Sequence, residues 1–232
     1  MFVAVIGSFI GSFMLCLTYQ EGSFFRRSQC DSCHSDLAWY ELIPIVSFIV
    51  QKGRCRKCGD PIPVHVFITE LLFFVLFLLF VSENSTTLYA ACISFLVPLA
   101  IYDLYHFKVP NHMLMLFACI LLLIRFPLLF DIQHLIYSFM LIILLHLFYL
   151  LTGSIGYGDI KLLSLFALFF PLTYFLLIFM LTYFIGGIAV ICFLFYKHNL
   201  KKIPLIPFIT ASTLLVFKFY DELYTIYFGG FL

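Results

Sequence analysis

Apolar runs of about twenty residues, divided by short polar breaks, fill most of this chain. Runs of that length predict helices that cross a bilayer. They fall near residues 2–19, 64–82, 86–104, 110–130, 132–152, 159–171, 173–196 and 203–220, giving eight spans. The first carries Gly7 and Gly11 with Ser8 and Ser12 beside them. Small residues four apart let a second helix pack closely, which explains them better than catalysis does. Residues 20–63 form the one sizeable polar segment. Between Leu162 and Tyr196 only Pro171 interrupts the apolar pattern, so this stretch reads as one kinked helix or as a hairpin.

Composition agrees with a membrane protein: 64% of the 232 residues are hydrophobic and 11% are charged. A net charge of +1 supplies no basic field for nucleic acid. No basic residue precedes the first apolar run, so it reads as an anchor and not as a cleaved signal peptide. Lysine and arginine decide the orientation, because cytoplasmic loops are enriched in them. With eight spans and the N-terminus outside, eleven of the thirteen basic residues face the cytoplasm, leaving Arg125 and Lys218. A single pass through 162–196 would put Lys197, Lys201 and Lys202 outside, so charge favours the hairpin. The expected fold is an all-α, multi-pass protein of the cell (plasma or inner) membrane, with the 20–63 loop cytoplasmic and the C-terminus outside.

That loop contains two CxxC pairs, Cys30–Cys33 and Cys55–Cys58, separated by 21 residues. The spacing is close to that of a tetrahedral Cys₄ zinc site, in which each pair gives two thiolates from one tight turn. Arg54, Arg56 and Lys57 offset part of the charge of such a centre. A redox dithiol is the competing reading, but it suits an oxidising compartment and the charge bias puts this loop in a reducing one. Cys16, Cys92, Cys119 and Cys192 lie singly in apolar runs and read as small hydrophobes.

Glu70, Asp103 and Asp159 are the acids in or against the spans. Ionisable residues there are costly and mark functional sites. Asp159 sits in Gly156-Tyr157-Gly158-Asp159-Ile160-Lys161-Leu162. The bland alternative is a helix cap, with Lys161 reaching for the headgroups. Gly156 and Gly158 argue for more, since they strip side-chain bulk from the backbone beside the carboxylate and leave room there for a substrate. Asp103 ends the third span and Asp159 begins the sixth, both at the cytoplasmic face in this topology. Pairing of Asp103 with His106 or Lys108 is its bland alternative. Two aspartates from different helices at one depth fit a dyad that shares a proton, one carboxylate activating water and the other polarising the scissile carbonyl.

Taken together these motifs resemble the type IV prepilin peptidases, bifunctional membrane aspartic proteases and N-methyltransferases. The resemblance rests on Gly156 to Leu162, on Asp103 with Val109-Pro110-Asn111, and on three stretches of the N-terminal part. Those are Glu41-Leu42-Ile43-Pro44-Ile45-Val46-Ser47-Phe48, Lys52 to Gly59, and Glu70-Leu71-Leu72. It implies three parts: a first helix (1–19), a four-cysteine module tied to methyl transfer (20–63), and a transmembrane aspartic peptidase domain (64–232). It further implies cleavage of a basic leader from a prepilin or pseudopilin whose apolar helix lies in the lipid bilayer. The new N-terminus would then be methylated from S-adenosylmethionine, with Gly53, Arg54 and Glu70 at the family's methyl-transfer positions. One departure stands out: the family has Gly-Ser-Phe-Leu-Asn where this chain has Gly11-Ser12-Phe13-Met14-Leu15. Other readings are a peptidase without methyl transfer, a presenilin-like Gly-x-Gly-Asp protease, a proton-coupled transporter and a zinc-bearing assembly platform. The four-cysteine module and the lack of Pro-Ala-Leu in the last span speak against the presenilin-like reading.

Overall fold

The computed structural model describes residues 2–19, 28–30, 32–80, 86–196 and 203–229. Arg26, Arg27, Lys197, Lys201 and Lys202, which weigh in the charge count, lie outside them. Among the described residues the fold is helical, with two isolated β-bridges. The helices are α1 (Phe2–Tyr19), α2 (Val46–Val50), α3 (Val64–Phe80), α4 (Thr86–His106), α5 (Asn111–Arg125), α6 (Ile132–Thr152), α7 (Tyr157–Phe169), α8 (Leu172–Tyr196), α9 (Ile206–Lys218) and α10 (Tyr220–Phe228). Each expected span has its helix. Among the described residues five are long and apolar enough to cross a membrane: Phe2–Tyr19, Thr87–His106, Asn111–Phe130, Ile132–Thr152 and Leu172–Cys192. The expected count of eight includes three shorter helices: α3 has 17 residues, and α7 and α9 have 13 each. At 1.5 Å per residue, thirteen residues reach about 20 Å, short of a hydrocarbon core of about 30 Å.

The chain divides into two compact units, Met1–Pro98 and Leu99–Leu232. In the first, α1 lies against α3. A β-carbon on Gly7 would run into the Phe77 ring and one on Gly11 into the Phe73 ring. Both phenyl groups are buried in the space those glycines leave, so the small-residue face is a packing device.

In the second unit α6 and α7 are tied by polar bonds as well as packing. Ser138 Oγ donates to the Ala167 carbonyl at 2.7 Å, and His134 Nε2 lies 2.9 Å from the Leu168 carbonyl. The chain breaks at Phe170-Pro171, so residues 162–196 form two helices and not one. Proline lacks the N–H that a continuing helix would need, and its ring disfavours a helical residue before it. Phe170 accordingly turns extended, at φ −115° and ψ 146°. On the far side of the break, Tyr174 stacks on Tyr220 with ring centres 4.0 Å apart, joining α8 to α10.

Candidate active site and metal centre

Asp103 lies in the last turn of α4, and its helix ends three residues later, at His106. The Phe107 N–H closes on the Asp103 carbonyl at 2.9 Å and Phe107 adopts a positive φ of 52°. That left-handed cap turns the chain, and Val109-Pro110-Asn111 then runs into α5. The same three residues meet the start of α7. Val109 fills the place a β-carbon on Gly158 would occupy, and Lys161 Nζ donates to Asn111 Oδ1 at 2.8 Å. Lys161 also sits 4.8 Å above the Tyr157 ring, a cation–π contact. The two aspartate motifs therefore interlock through their flanking residues.

The carboxylates themselves have few partners. Asp103 is buried at 5% exposure and accepts one bond, from the Ile206 backbone N–H at 3.3 Å. Ile206 opens α9, so this carboxylate faces a helix N-terminus, where negative charge is favoured. No ion pair joins it to Lys108 among the described residues, and His106 instead stacks on Tyr102 at 4.2 Å. Asp159 is half-buried and accepts from the Gly156 N–H, as the acid of a capping box does. Its capping and its chemistry are thus compatible. The interlock brings the turn that ends α4, with Asp103, against the first turn of α7, with Asp159.

Both glycines permit close packing around Asp159. A β-carbon on Gly156 would stand 2.9 Å from Asp159 Oδ2, and one on Gly158 would collide with Val109. The atoms nearest each glycine are thus the protein's own carboxylate and valine, which the missing side chains let approach.

In the cysteine module the two pairs fold alike. The His34 N–H donates to the Cys30 carbonyl and the Gly59 N–H to the Cys55 carbonyl, each at 2.9 Å. Cys30 and Cys55 in turn donate to Ser35 and Asp60, and bridges Gln29–Asp36 and Arg54–Pro61 close each loop. Residues 34 and 59 both take positive φ, at 52° and 79°, which glycine permits more readily than histidine. The result brings all four sulfurs within 4.8 Å of one another, with Cys30 and Cys58 Sγ 3.8 Å apart. A tetrahedron with Zn–S of about 2.3 Å has S···S edges of about 3.8 Å, so the donor set fits zinc. Hydrogen bonds from the Ser35 hydroxyl and backbone lower the Cys33 thiol to about 6, which favours a thiolate ligand. Cys58 is pushed up to about 12: a bond from the Asp60 backbone works the other way, and desolvation with three neighbouring thiols outweighs it. Four thiols so close cannot all ionise without a cation among them. We expect about one zinc per chain on the four-ligand geometry, measured by metal analysis of purified protein. Replacing all four cysteines by serine should remove it and unfold the loop, because structural zinc contributes folding energy directly.

Glu70 is buried at 5% exposure and accepts the Ile45 N–H at 2.7 Å, with Ser12 of α1 as a second partner. Among the described residues no arginine pairs with it. Ile45 stands at φ 64° and ψ −52°, and Val46 N–H reaches the Pro44 carbonyl at 2.6 Å. This is a γ-turn of the rare, strained form, on a β-branched residue. Such a conformation costs of order 1–3 kcal/mol and persists only where its surroundings enforce it. Gly53 has φ 67° and lies under Phe48, while Arg54 is exposed. Both connect to Glu70 through α2 and not by direct contact.

A helical membrane protein with interlocked aspartate motifs and a four-cysteine knuckle is the class that these features define. Comparisons place it within that class. Residues 1–83 match the model of the bacterial peptidase A24 N-terminal domain, and residues 90–191 that of the type IV leader peptidase family. The chain belongs to the type IV leader peptidase family. Proteins named prepilin leader peptidase/N-methyltransferase are similar to it. That of Myxococcus xanthus is 38% identical over 120 residues, covering 48% of this chain and 36% of the relative. That of Bacillus subtilis is 27% identical over 210 residues, covering 87% and 85%. That of Legionella pneumophila is 28% identical over 230 residues, covering 89% and 77%. No solved structure matches the chain.

Sequence reasoning missed one partner of Asp103. Ile206 acts through its backbone N–H, which no side-chain pattern reveals.

Proposed function

We propose that this chain is an aspartic endopeptidase that removes the leader of a type IV prepilin or pseudopilin, then methylates the new N-terminus. What supports the reading is the interlock of Val109-Pro110-Asn111 with Gly158 and Lys161, which brings the turn after Asp103 against the helix start that carries Asp159. The pair shares one proton. The ionised carboxylate takes a proton from water as the oxygen attacks the scissile carbonyl, and the protonated one donates a hydrogen bond to the carbonyl oxygen. Collapse of the adduct breaks the C–N bond, and the amine leaves with a proton from the dyad. The substrate's apolar helix lies in the bilayer while its basic leader reaches the cytoplasm, which delivers the bond by depth.

Four cysteines, Cys30, Cys33, Cys55 and Cys58, hold a structural zinc ion that takes no part in the chemistry. S-adenosylmethionine supplies an electrophilic methyl group for the free amine. Gly53 and the exposed Arg54 are the residues of the module that would meet it. Glu70 serves by holding the Ile45 turn, since its carboxylate is already engaged. Incubating membranes with a prepilin-like peptide and the methyl donor, followed by mass analysis, tests both halves. Loss of the leader and gain of one methyl group are expected in one spectrum, and an uncut peptide overturns the peptidase.

Leu15 favours a second reading, a peptidase alone. It is buried in α1 where the family carries an asparagine, so any amide contact is absent. A cut product that never gains the methyl group would establish it.

The proposed orientation has the N-terminus outside and the cysteine module, Lys108 and Lys161 in the cytoplasm. Cysteine-accessibility labelling should report residues 57 and 108 on the cytoplasmic side, and labelling from outside the cell would overturn it.

A further inference from the structure

The segment between α1 and α3 carries a row of exposed apolar side chains that a water-bathed loop would not keep. Trp39 is 77% exposed, Val50 74%, Ile49 61% and Val46 53%. Phe48 points the other way, stacked on Phe67 of α3 at 4.7 Å. Val46, Ile49 and Val50, at i, i+3 and i+4, share one face of α2, and exposed apolar faces of this kind mark interaction surfaces.

Its depth identifies the partner. Ile45, just before α2, bonds Glu70, which lies six residues into α3, or about 9 Å along its axis. Ser12, the second partner of Glu70, lies seven residues before the end of α1, or about 10 Å from it. The two helices therefore agree on how far the turn sits inside their ends. With 18 and 17 residues, α1 and α3 are about 27 and 26 Å long, shorter than a hydrocarbon core of about 30 Å. The described turns of both helices fit within that thickness, so what lies 9–10 Å inside their ends, on these helix-rise estimates, is at lipid depth. Exposed Lys52, Arg54, Arg56 and Lys57 follow α2 and suit anionic headgroups, and tryptophan is the residue favoured at that boundary.

We propose that Trp39–Val50 is a membrane-embedded shoulder, its apolar face seated in the headgroup–acyl boundary of the bilayer that α1 and α3 cross. The shoulder holds the cysteine module against the membrane surface. Seating of about 5–10 Å, as for interfacial helices, is enough to cover Trp39, Val46, Ile49 and Val50. This surface is independent of which reaction the protein performs and of which side the module faces.

Trp39 is the chain's single tryptophan, so the full-length protein reports on the shoulder directly. In nanodiscs of phosphatidylcholine and phosphatidylglycerol its emission should be blue-shifted. Bromines near the headgroup end of the acyl chains should cut its intensity at least twofold, and bromines at the chain terminus less. Acrylamide from the water phase should quench it weakly. A Trp39→Phe, Val50→Trp double variant with unchanged helical content should behave alike. Emission of a water-exposed indole, open to acrylamide and blind to brominated lipid, would overturn the proposal. So would an indole shielded from both, which would mean that a second copy or another protein covers the face.

Discussion

Replacing Asp103 or Asp159 by asparagine should reduce cleavage of a prepilin-like peptide by at least about a thousandfold, within the range for a lost proton-transfer group. The amide keeps the size of the acid but neither holds nor passes the shared proton. Asparagine also preserves an oxygen that can accept the Ile206 N–H in one case and the Gly156 N–H in the other. Insertion and zinc content should therefore be unchanged, which separates lost chemistry from lost folding. The double variant should be no worse than either single one, because one dyad does one job. Methyl transfer to a pre-cut peptide should survive both changes if the cysteine module carries it. Near-normal cleavage by either single variant, in inserted and zinc-loaded protein, would sink the aspartyl mechanism.

Gly158→Ala should be nearly as damaging, although it touches no reacting atom. Its new methyl group would collide with the Val109 side chain. Either Val109 moves, carrying Pro110 and Asn111 with it, or α7 moves, carrying Asp159. A displacement of about 1 Å at a catalytic group costs on the order of a hundredfold in rate. The effect should fall on kcat and not on zinc binding, since the cysteine module is a separate element of the chain. Val109→Gly removes both atoms that the new methyl group would strike, so the double variant should recover part of the lost rate. Equal damage in the presence and absence of Val109→Gly would show that the glycine matters for another reason, such as substrate access.

Much of this protein is legible in its sequence. The apolar runs fix where helices form, because a buried backbone in lipid must satisfy its own hydrogen bonds. Pro171 sets the break between α7 and α8 through its missing N–H. The two CxxC pairs predict a knuckle that the backbone bonds of residues 30–35 and 55–60 then form twice over. Asp103 and Asp159 stand out by chemistry alone, since few carboxylates lie against the spans.

Only the tertiary structure decides what surrounds those groups. Sequence marks Gly158 as small but not that Val109 fills its place, nor that Gly156 makes room for Asp159's own carboxylate. The length of α7 and α9 is likewise set in three dimensions: hydropathy gives an apolar run but not the residue at which the helix stops. Glu70 reads as an acid against a span or a methyl-transfer residue until the fold presents it to the Ile45 N–H and reveals a strained turn. The division has one physical cause. Helix formation and metal-knuckle geometry depend on neighbours a few residues away, which the sequence orders directly. The meeting of Asp103 with Ile206, or Lys161 with Asn111, joins residues far apart in the chain, and only the packing of whole helices brings them together.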